Sequence, residues 1–419
     1  MELMRSYNLP TPTCYTATTP ADAEQIYRKL NPPDKANNKD AAAIIKAQVL
    51  TGGRGKGHFD NGFQGGVKFL KSPLQARQVA SHMLGANLIT KQAPNGLPCH
   101  KVLLRECFDL DRELYLSIIS DPKSGGPLLV ASPCGGTSIE EVAETHPEFI
   151  FTQSIDIGNG ITDEQCHNVA FNLGFPVDSP LYDQCVQLAG DLYHMYTETD
   201  SLQVEINPLA ETPQGKLIVA DAKVVIDDRA KDRHPHIFAQ RDFSQEDPRE
   251  VHASRYCFNY VAMDGNVGCL VNGAGLSMAT MDLLERNGGT PACFLDVGGS
   301  AESVSIDGAF DVLDCDDSVK AIFVNIFGGI VRCDLIAKVL ITSFQKGKVN
   351  KPTVVRLVGN HAELALELLQ AANIPMLTVE LDWDTAAHKV VEIANECEQP
   401  CLLTEDEDTD DMLMYRRAE

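Results

Sequence analysis

Hydrophobic residues along this chain follow two kinds of pattern, and the change between them occurs near residue 265. In the first part, short apolar runs alternate with longer segments such as residues 74–83, where apolar positions recur every three or four residues. The short runs predict strands at residues 43–50, 101–105, 114–119, 128–132, 202–206 and 217–220. This mixture predicts an α+β region that is arranged as two subdomains around a cleft.

From Gly265 onward the pattern is regular, and each unit is a short apolar run, a turn containing Gly or Asn, and a helix. The predicted strands are residues 267–271, 293–297, 321–326, 353–358 and 376–379. The helical patterns begin near Leu276, Ser303, Val331, Ala362 and Thr385. Five such alternations predict a doubly wound parallel sheet with helices on both faces, because parallel strands need crossover connections. In that fold class, ligands bind beyond the carboxyl ends of the strands.

A polar, charged segment with two prolines, residues 227–250, separates the two patterns and predicts a linker or a surface connection. With 419 residues the chain is longer than a single core usually grows, so we predict two domains, residues 1–240 and 241–400. The remaining residues, 401–419, contain an acidic run at 405–411 that is typical of a solvated, self-repelling tail.

Charge and composition argue against some classes of function. The formal net charge is −24, whereas nucleic-acid binding depends on clustered Lys and Arg, so we expect no nucleic-acid partner. Since no apolar stretch approaches the length of a membrane span, we also expect no membrane partner. The thirteen cysteines include no Cys-x-x-Cys pair, which favours free thiols in a reducing compartment. Because the chain as a whole is negatively charged, any anionic ligand must be bound by a local group of positive charges.

The first candidate site is the segment of residues 51–57, which has four glycines in seven positions and follows the apolar run that contains Lys46. Glycines let the backbone approach a ligand closely, and Arg54 and Lys56 supply positive charge for phosphate oxygens. The Walker A spacing is absent, and a plain flexible turn is an open alternative. Lys46 favours the ligand interpretation, because burying an ammonium without an anionic partner is costly.

The second candidate site lies at the ends of two predicted strands. Residues 205–208, Glu-Ile-Asn-Pro, end one strand, and Asp221 ends the next. The oxygens of Asn207 and Asp221 suit Mg²⁺, which takes few protein ligands and completes its octahedron with water and phosphate oxygens. The structural alternative is that Asn-Pro begins a turn and that Asp simply ends a strand.

The third candidate site is formed by three glycine-containing turns of the second region, at residues 272–275, 298–300 and 328–331. Each turn is expected to place exposed backbone N–H groups near a helix start, where a carboxylate or phosphate can bind. Glycine is common in such turns, so a single turn would mean little. Three turns on one edge of a sheet favour a shared anion site.

These motifs together resemble the β subunit of succinyl-CoA synthetase. The resemblance rests on Val-Glu-Ile-Asn-Pro-Leu at 204–209, Leu-Val-Asn-Gly-Ala-Gly-Leu at 270–276, Phe-Leu-Asp-Val-Gly-Gly at 294–299 and, most specifically, Val-Asn-Ile-Phe-Gly-Gly-Ile-Val-Arg-Cys-Asp at 324–334. The motifs follow the family's order over nearly the whole chain. The resemblance implies an ATP-grasp domain of two α+β subdomains, followed by a flavodoxin-like CoA-ligase domain.

The resemblance also implies roles for individual residues. The implied nucleotide-binding residues are Lys46, Gly53, Arg54, Gly55, Glu106 and Glu113. The implied Mg²⁺ ligands are Asn207 and Asp221, and the implied contacts of the organic substrate are Asn272, Gly329, Ile330 and Val331. Glu205 corresponds to a catalytic acidic residue that faces a phosphorylated histidine. The chain departs from the family pattern at Arg105, where many members carry Glu and where Glu106 follows in this sequence.

In the family that this chain resembles, the phosphorylated histidine belongs to a partner α subunit. None of the eleven histidines of this chain lies in a motif similar to a phosphohistidine site. The resemblance therefore implies an αβ heterodimer, or an α2β2 assembly, that interconverts succinyl-CoA, phosphate and NDP with succinate, CoA and NTP. It also implies Mg²⁺ as cofactor, ATP/ADP or GTP/GDP as substrate, and CoA.

Three questions stay open from the sequence. Segments 57–66 and 132–148 resemble GTP-forming eukaryotic β subunits, whereas Pro12 resembles the ATP-using bacterial form. The implied compartment is the mitochondrial matrix or a related organelle in a eukaryote, and the cytoplasm in a bacterium. The alternative functions are another NDP-forming acyl-CoA ligase, of acetyl-CoA or malate-CoA type, and a non-catalytic nucleotide- or CoA-binding regulatory subunit.

Overall fold

A computed structural model describes residues 1–32, 42–256, 258–298, 303–330 and 332–398. The chain divides into two compact units; the first spans Met1–Gln245 and the second begins at Glu246. In the part of the chain that the structure describes, no helix combines the length and the apolar character needed to cross a bilayer.

The first unit contains seven α-helices and thirteen strands within the described residues. The helices are α1 (Glu2–Ser6), α2 (Pro20–Leu30), α3 (Pro73–Met83), α4 (Ile139–Thr145), α5 (Asp163–Asn172), α6 (Pro180–Glu198) and α7 (Pro235–Phe238). The strands are β1 (Cys14–Ala17), β2 (Ala43–Ala47), β3 (His58–Phe59), β4 (Val67–Leu70), β5 (Asn87–Ile89), β6 (Leu97–Pro98), β7 (Val102–Glu106), β8 (Arg112–Asp121), β9 (Gly126–Ser132), β10 (Phe151–Ser154), β11 (Ser201–Thr212), β12 (Lys216–Val219) and β13 (Ala222–Ile226). Short 3₁₀ turns span Arg54–Lys56, Pro147–Phe149, Asp228–Ala230 and Phe243–Gln245.

The first sheet has four antiparallel strands in the order β1-β7-β2-β4. Helices α2 and α3 cover one of its faces, and each begins with Pro after a capping residue, Thr19 or Ser72, whose side chain accepts a backbone N–H. Alternate residues of β2 and β7 enter the core under these helices. The intervening residues therefore face the opposite side, which carries the candidate site.

The second sheet has the order β10-β9-β8-β11-β12, and β13 also pairs with β11. Helices α5 and α6 pack on one of its faces around the largest core of this unit. Strand β11 is longer than predicted, because it continues through Asn207 and Pro208 to Thr212. The pairing with β8 shifts register between Ile206 and Leu209, which accommodates the missing N–H of proline. A small sheet, β3-β5-β6, completes this unit.

The second unit contains six helices and six strands within its described residues. The helices are α8 (Pro248–Ser254), α9 (Ala274–Arg286), α10 (Ser303–Asp314), α11 (Cys333–Gln345), α12 (Ala362–Ala372) and α13 (Trp383–Glu398). The strands are β14 (Asn259–Ala262), β15 (Val267–Val271), β16 (Cys293–Asp296), β17 (Ala321–Gly328), β18 (Thr353–Gly359) and β19 (Leu377–Val379).

These strands form one sheet in the order β14-β16-β15-β17-β18-β19. Strands β15 to β19 are parallel and, numbered from one, run in the order 2-1-3-4-5, which is the flavodoxin-like arrangement. The predicted doubly wound sheet is confirmed, with α9 and α13 on one face and α10, α11 and α12 on the other. Strand β14 was not predicted, because this antiparallel edge strand of four residues lacks the strand–turn–helix pattern.

The order of strands in the sheet places β15 and β17 side by side, although β16 lies between them in sequence. The helices that follow these two strands, α9 and α11, pack on opposite faces of the sheet. A crevice therefore opens at the carboxyl ends of β15 and β17, where doubly wound folds bind their ligands.

Candidate functional site

Lys46 lies on the open face of the first sheet. Its neighbours Ala43, Ile45 and Ala47 enter the core, so strand alternation turns Lys46 the other way. The residue is only 6% exposed, and its Nζ lies 2.8 Å from Oδ2 of Asp221. The buried ammonium therefore has the anionic partner that its burial requires, and the chain itself supplies it, so burial alone does not decide the ligand role of Lys46.

Arg54 binds the same carboxylate from the glycine-rich segment. Its Nη2 lies 3.0 Å from Oδ2 of Asp221, and its Nη1 donates to the carbonyl of Ala47 at 3.0 Å. Gly53 precedes the 3₁₀ turn with φ +68°, a conformation that favours glycine, whereas Gly55 has no such φ. The segment is therefore an ordered turn that holds Arg54 beside Lys46.

A third cation, Arg105, faces the same side of the sheet; the sequence showed it only as a departure from the family pattern and gave it no role in the site. It pairs in register with Ile44, two residues from Lys46, and is 6% exposed. Its guanidinium donates to the carbonyl of Glu106 and lies 4.9 Å from the ring centroid of Phe108, while its Nε has no partner among the described residues. The signal was present, since a charged residue interrupts an apolar strand there as at position 46.

The electrostatics of this cluster are unbalanced. Burial lowers the pKa of Lys46, although Asp221 opposes that effect. Burial alone would raise the pKa of Asp221, but Lys46 and Arg54 hold it below its ordinary value, so Asp221 is a carboxylate at neutral pH. Burial likewise lowers the pKa of Arg105, which Asp221 counteracts only in part. Lys46 and Arg54 share one carboxylate, and Arg105 lies close enough for its charge to act on that carboxylate without an ion pair, so the surplus positive charge suits a phosphate ligand.

The two predicted Mg²⁺ ligands are brought together, but Asn207 lies in the middle of β11 and not at its end as predicted, while Asp221 lies between β12 and β13. The backbone N–H of Asn207 donates to the carbonyl of Asp221 at 3.2 Å. The side chain of Asn207 is held by a loop, because its Oδ1 accepts from Gly136 N at 2.8 Å and its Nδ2 donates to Thr137 O at 2.9 Å. An amide oxygen and a carboxylate are donors of the kind that Mg²⁺ takes, so the donor set fits this ion.

The loop of residues 133–137 also touches Glu113, another predicted nucleotide contact. Gly135 N donates to the carbonyl of Glu113 at 2.8 Å. A Cβ on Gly136, whose φ is +72°, would lie 2.1 Å from Oε2 of Glu113. The loop thus packs against Glu113 and Asn207 at once, and its Gly-Gly pair, which two residues separate from the end of β9, was the available sequence signal.

Glu205 lies two residues before Asn207 on β11 and faces the same side. Its Oε2 accepts from Nε2 of Gln203 at 3.1 Å, and its position pairs in register with Lys223. Burial raises the pKa of Glu205, with the charge of Lys223 acting in the opposite direction. A partly buried carboxyl that retains a proton more readily is the kind of group that acts in acid–base or charge-sensing steps.

Glu205→Gln should increase the stability of the chain at neutral pH. Because the folded pKa is raised, the stabilisation from the protonated carboxyl is complete below the ordinary value of about 4.3 and is lost as pH rises through the folded pKa. Glutamine cannot ionise and avoids this loss. Urea unfolding at pH 4 and pH 7 should show a gain at pH 7 that shrinks at pH 4, and no such difference for the exposed Glu198→Gln. A gain of equal size at both pH values would contradict the assignment.

Glu106 is not brought to this cluster. It pairs in register with Ala43, whose side chain enters the core, so alternation turns Glu106 away from the Lys46 face. Its Oε1 accepts from Thr13 N at 2.7 Å at the sheet margin. The structure thus places Glu106 on the face opposite Lys46, and its role as a nucleotide ligand stays a prediction.

In the second unit, Asn272 joins the carboxyl ends of β15 and β17. Its Nδ2 donates to the carbonyl of Phe327 at 2.9 Å, and its Oδ1 accepts from Phe327 N at 2.8 Å. Asp296, which the sequence analysis missed, is buried nearby at the end of β16. Its Oδ1 accepts from the backbone N–H groups of Gly273 at 2.6 Å and Gly298 at 2.8 Å.

One N–H group in each of the three glycine turns is not free, contrary to expectation. The N–H groups of Gly273 and Gly298 are taken by Asp296, and that of Gly329 donates to the carbonyl of Phe327 at 3.0 Å. Gly329 and Ile330 do lie in an exposed turn between β17 and α11, as predicted. Val331, Gly299 and Ser300 lie outside the described residues.

Gly359, rather than Gly329, carries the backbone constraint at this edge. Gly359 has φ +108°, and a Cβ there would lie 2.5 Å from the carbonyl oxygen of Gly328. Gly329 has no left-handed φ, and its Cβ would meet only the Phe327 ring at 3.7 Å. We expect Gly359→Ala to lower the free energy of unfolding by about 1–3 kcal/mol, and Gly329→Ala to change it by about 0.5 kcal/mol or less. Denaturant unfolding of both variants tests this order, which equal losses would contradict.

Comparisons with known proteins agree with this architecture. The family model of the ATP-grasp domain matches residues 1–211, and that of the CoA-ligase matches residues 270–390. The solved ATP citrate lyase of Methanothrix soehngenii superposes with a TM-score of 0.68 over 91% of this chain and 92% of that chain; at 16% identity it shows a shared fold.

Curated relatives are much more similar in sequence. The hydrogenosomal succinate–CoA ligase [ADP-forming] subunit beta of Neocallimastix frontalis is 46% identical over 402 residues, covering 94% of this chain and 88% of that protein. The mitochondrial succinate–CoA ligase [GDP-forming] subunit beta of Dictyostelium discoideum is 44% identical, covering 93% of this chain and 90% of that protein. Identity at this level over nearly the whole length shows that the chain belongs to the family of succinate–CoA ligase β subunits.

Proposed function

We propose that this chain is the nucleotide-binding β subunit of a succinate–CoA ligase that acts with an α subunit. The reaction is succinyl-CoA, phosphate and NDP to succinate, CoA and NTP, and it is reversible. The observation that carries the proposal is the cluster of Lys46, Arg54 and Arg105 around Asp221, which leaves positive charge for a nucleotide's phosphates. The family relatives bear the names of succinate–CoA ligases, so a different acyl-CoA ligase or a non-catalytic subunit is not favoured.

The cation cluster would act mainly by electrostatics. A transferring phosphoryl group spreads negative charge over its oxygens, and fixed cations in a partly buried site stabilise that charge without rearranging. Asp221 already orients Lys46 and Arg54, so most of the conformational entropy of these two side chains is lost on folding and not on nucleotide binding. The phosphate would replace part of their interaction with Asp221.

Magnesium would be held by Asn207 and Asp221. When bound, it would neutralise charge on the nucleotide phosphates and fix their geometry. The amide oxygen of Asn207 accepts from Gly136 through one of its two lone pairs, which leaves the other for the metal. The loop of residues 133–137, which also packs on Glu113, would therefore orient this oxygen for metal binding.

The organic half of the reaction would take place at the carboxyl edge of the second unit. Succinyl-CoA and phosphate would give succinyl phosphate and CoA, and a histidine of the α subunit would carry the phosphoryl group to NDP. Asn272 and the turn of Gly329 and Ile330 lie at that edge. The exposed apolar side chains of Phe327 and Ile330, the latter 85% exposed, support an interface with the α subunit there.

The relatives' names also bear on compartment and nucleotide. They include mitochondrial and hydrogenosomal proteins and both ADP- and GDP-forming enzymes. In a eukaryotic cell we accordingly place the chain in a mitochondrion or related organelle, as one subunit of an αβ or α2β2 enzyme. Either purine nucleotide remains compatible with the Lys46 cluster, since its cations address phosphates rather than bases.

The isolated chain should take up no stable phosphoryl group on its own histidines. The reason is that the carrier histidine is expected on the α subunit. Incubation of the purified chain with γ-labelled ATP or GTP, followed by acid and base treatment, measures this directly. Base-stable, acid-labile label on the chain alone would contradict the proposed division of labour, whereas label that appears only on an added α subunit would support it.

A further inference from the structure

A cavity of about 490 Å³ lies on the α9/α13 face of the second unit, beside the crevice at the ends of β15 and β17. Its walls include Asn272, Gly275, Leu276, Ala279 and Phe327. Two further wall residues, Arg356 and Trp383, supply polar hydrogen-bond donors. A volume of this size is in the range of small-molecule sites, which are mostly apolar with a few placed polar groups.

Arg356 is a partly buried cation without an ion-pair partner among the described residues. Its Nε donates to the carbonyl of Leu381 at 3.1 Å, and its Nη1 donates to Oδ1 of the fully buried Asn325 at 3.0 Å. These two bonds fix the plane of the guanidinium and use two of its five N–H groups. Burial lowers the pKa of Arg356, and the negative charge of the nearby Asp382 partly offsets that effect. The Asp382 carboxylate itself accepts hydrogen bonds from the backbone N–H and the hydroxyl of Thr385.

Trp383 forms the surface on which this guanidinium rests. Its ring centroid lies 5.3 Å from Cζ of Arg356, and its buried Nε1 has no acceptor in the part of the chain that the structure describes. An arginine whose plane is fixed by hydrogen bonds presents its remaining N–H groups in a fork that matches a carboxylate. Three N–H groups of this partly buried guanidinium make no hydrogen bond to the described residues, so they are available to an anionic ligand.

We propose that this cavity receives the second carboxylate of a dicarboxylate substrate and that Arg356 is the residue that recognises it. The proposal rests on the proposed function and adds a specificity-determining residue to it. Asn272 lies in the same wall, so a short molecule could react at the crevice while its far end meets Arg356. A monocarboxylate of equal length would leave the guanidinium unpaired, and this cost is the basis of the selectivity.

The kinetic test uses the chain co-expressed with a cognate α subunit. Arg356→Gln should raise the KM for succinate by about 10- to 100-fold, the loss expected for one charge-assisted hydrogen-bond pair. The KM values for CoA and nucleotide should stay unchanged. Arg356→Lys should give an intermediate KM, since it keeps the charge without the fork. Arg286→Gln, at the far end of α9, is the matched control and should match the wild type.

A second measurement needs no turnover. Trp383 is the single tryptophan of the chain, so its fluorescence reports on the cavity directly. Succinate should change this signal saturably, butyrate should act at least about tenfold more weakly, and Arg356→Gln should bring succinate to the level of butyrate. A folded Arg356→Gln variant with an unchanged succinate midpoint, or one in which the KM for CoA rises instead, would overturn the proposal. If the wild-type complex did not use succinate at all, the proposed function would fail, and this titration would still decide whether the cavity binds a dicarboxylate.

Discussion

Lys46→Met should reduce kcat/KM for the nucleotide by about 10²- to 10³-fold, the loss typical of removing one fixed electrostatic group from a reacting centre. Methionine keeps the unbranched stem in the apolar strand, so the change removes mainly the charge. Asp221 then retains Arg54 as its partner, and the carboxylate is not stranded. The measurement is steady-state kinetics of the αβ complex, with nucleotide binding followed by calorimetry on the chain alone.

Lys71→Met is the control for this change. Lys71 lies directly after β4, the strand next to β2, but its side chain is exposed and outside the cluster. It should leave both nucleotide affinity and turnover within about twofold of the wild type, as surface substitutions usually do. A folded Lys46→Met chain with normal nucleotide affinity would remove Lys46 from the site and would leave the phosphate role to Arg54 and Arg105.

Asp221→Asn should reduce turnover without weakening the binding of nucleotide in the absence of Mg²⁺. Removing the carboxylate frees Lys46 and Arg54 for the phosphates, so nucleotide affinity without Mg²⁺ should hold or increase. The metal would lose its charged ligand, and turnover should fall by about 10²- to 10³-fold with little response to added Mg²⁺. Because Lys46 also loses its anionic partner, we expect about 1–3 kcal/mol of lost stability in the unliganded chain.

Asn207→Ala separates these two effects. Asn207 makes no ion pair, so this variant should weaken the response to Mg²⁺ without changing metal-free nucleotide binding. Calorimetric titrations with and without Mg²⁺, on both variants, provide the comparison. If Asp221→Asn weakened metal-free binding as much as Mg-dependent binding, Asp221 would be a structural partner of the cations only.

Much of the fold could be predicted because many of its helices and strands have a recognisable local sequence pattern. The parallel strands of the second unit are apolar runs followed by glycine turns, and the predicted starts near Ser303 and Ala362 are the observed helix starts. Strand β14 could not be predicted, since a four-residue edge strand with one covered face has too short a pattern. The length of β11 could not be predicted either, because the register shift that carries Pro208 depends on the neighbouring strand.

The candidate site was predictable by residue type but not by contact. Lys46, Arg54 and Asp221 were each singled out, yet their mutual ion pairs span more than 160 positions of sequence and require both sheets. Glu106 shows most clearly why contacts could not be predicted, because neighbouring residues of β7 point to opposite faces of the sheet. Asp296 and Gly359 escaped notice because their roles depend on backbone groups of other strands.

The most direct test of the account is an assay of this chain co-expressed with a candidate α subunit, supplied with succinate, CoA, Mg²⁺ and either ATP or GTP. The account predicts NDP formation that requires both succinate and CoA, with at least one of the two nucleotides, and no such activity from either subunit alone. Turnover by this chain in the absence of an α subunit would contradict it. So would a complex that uses acetate, malate or citrate in preference to succinate.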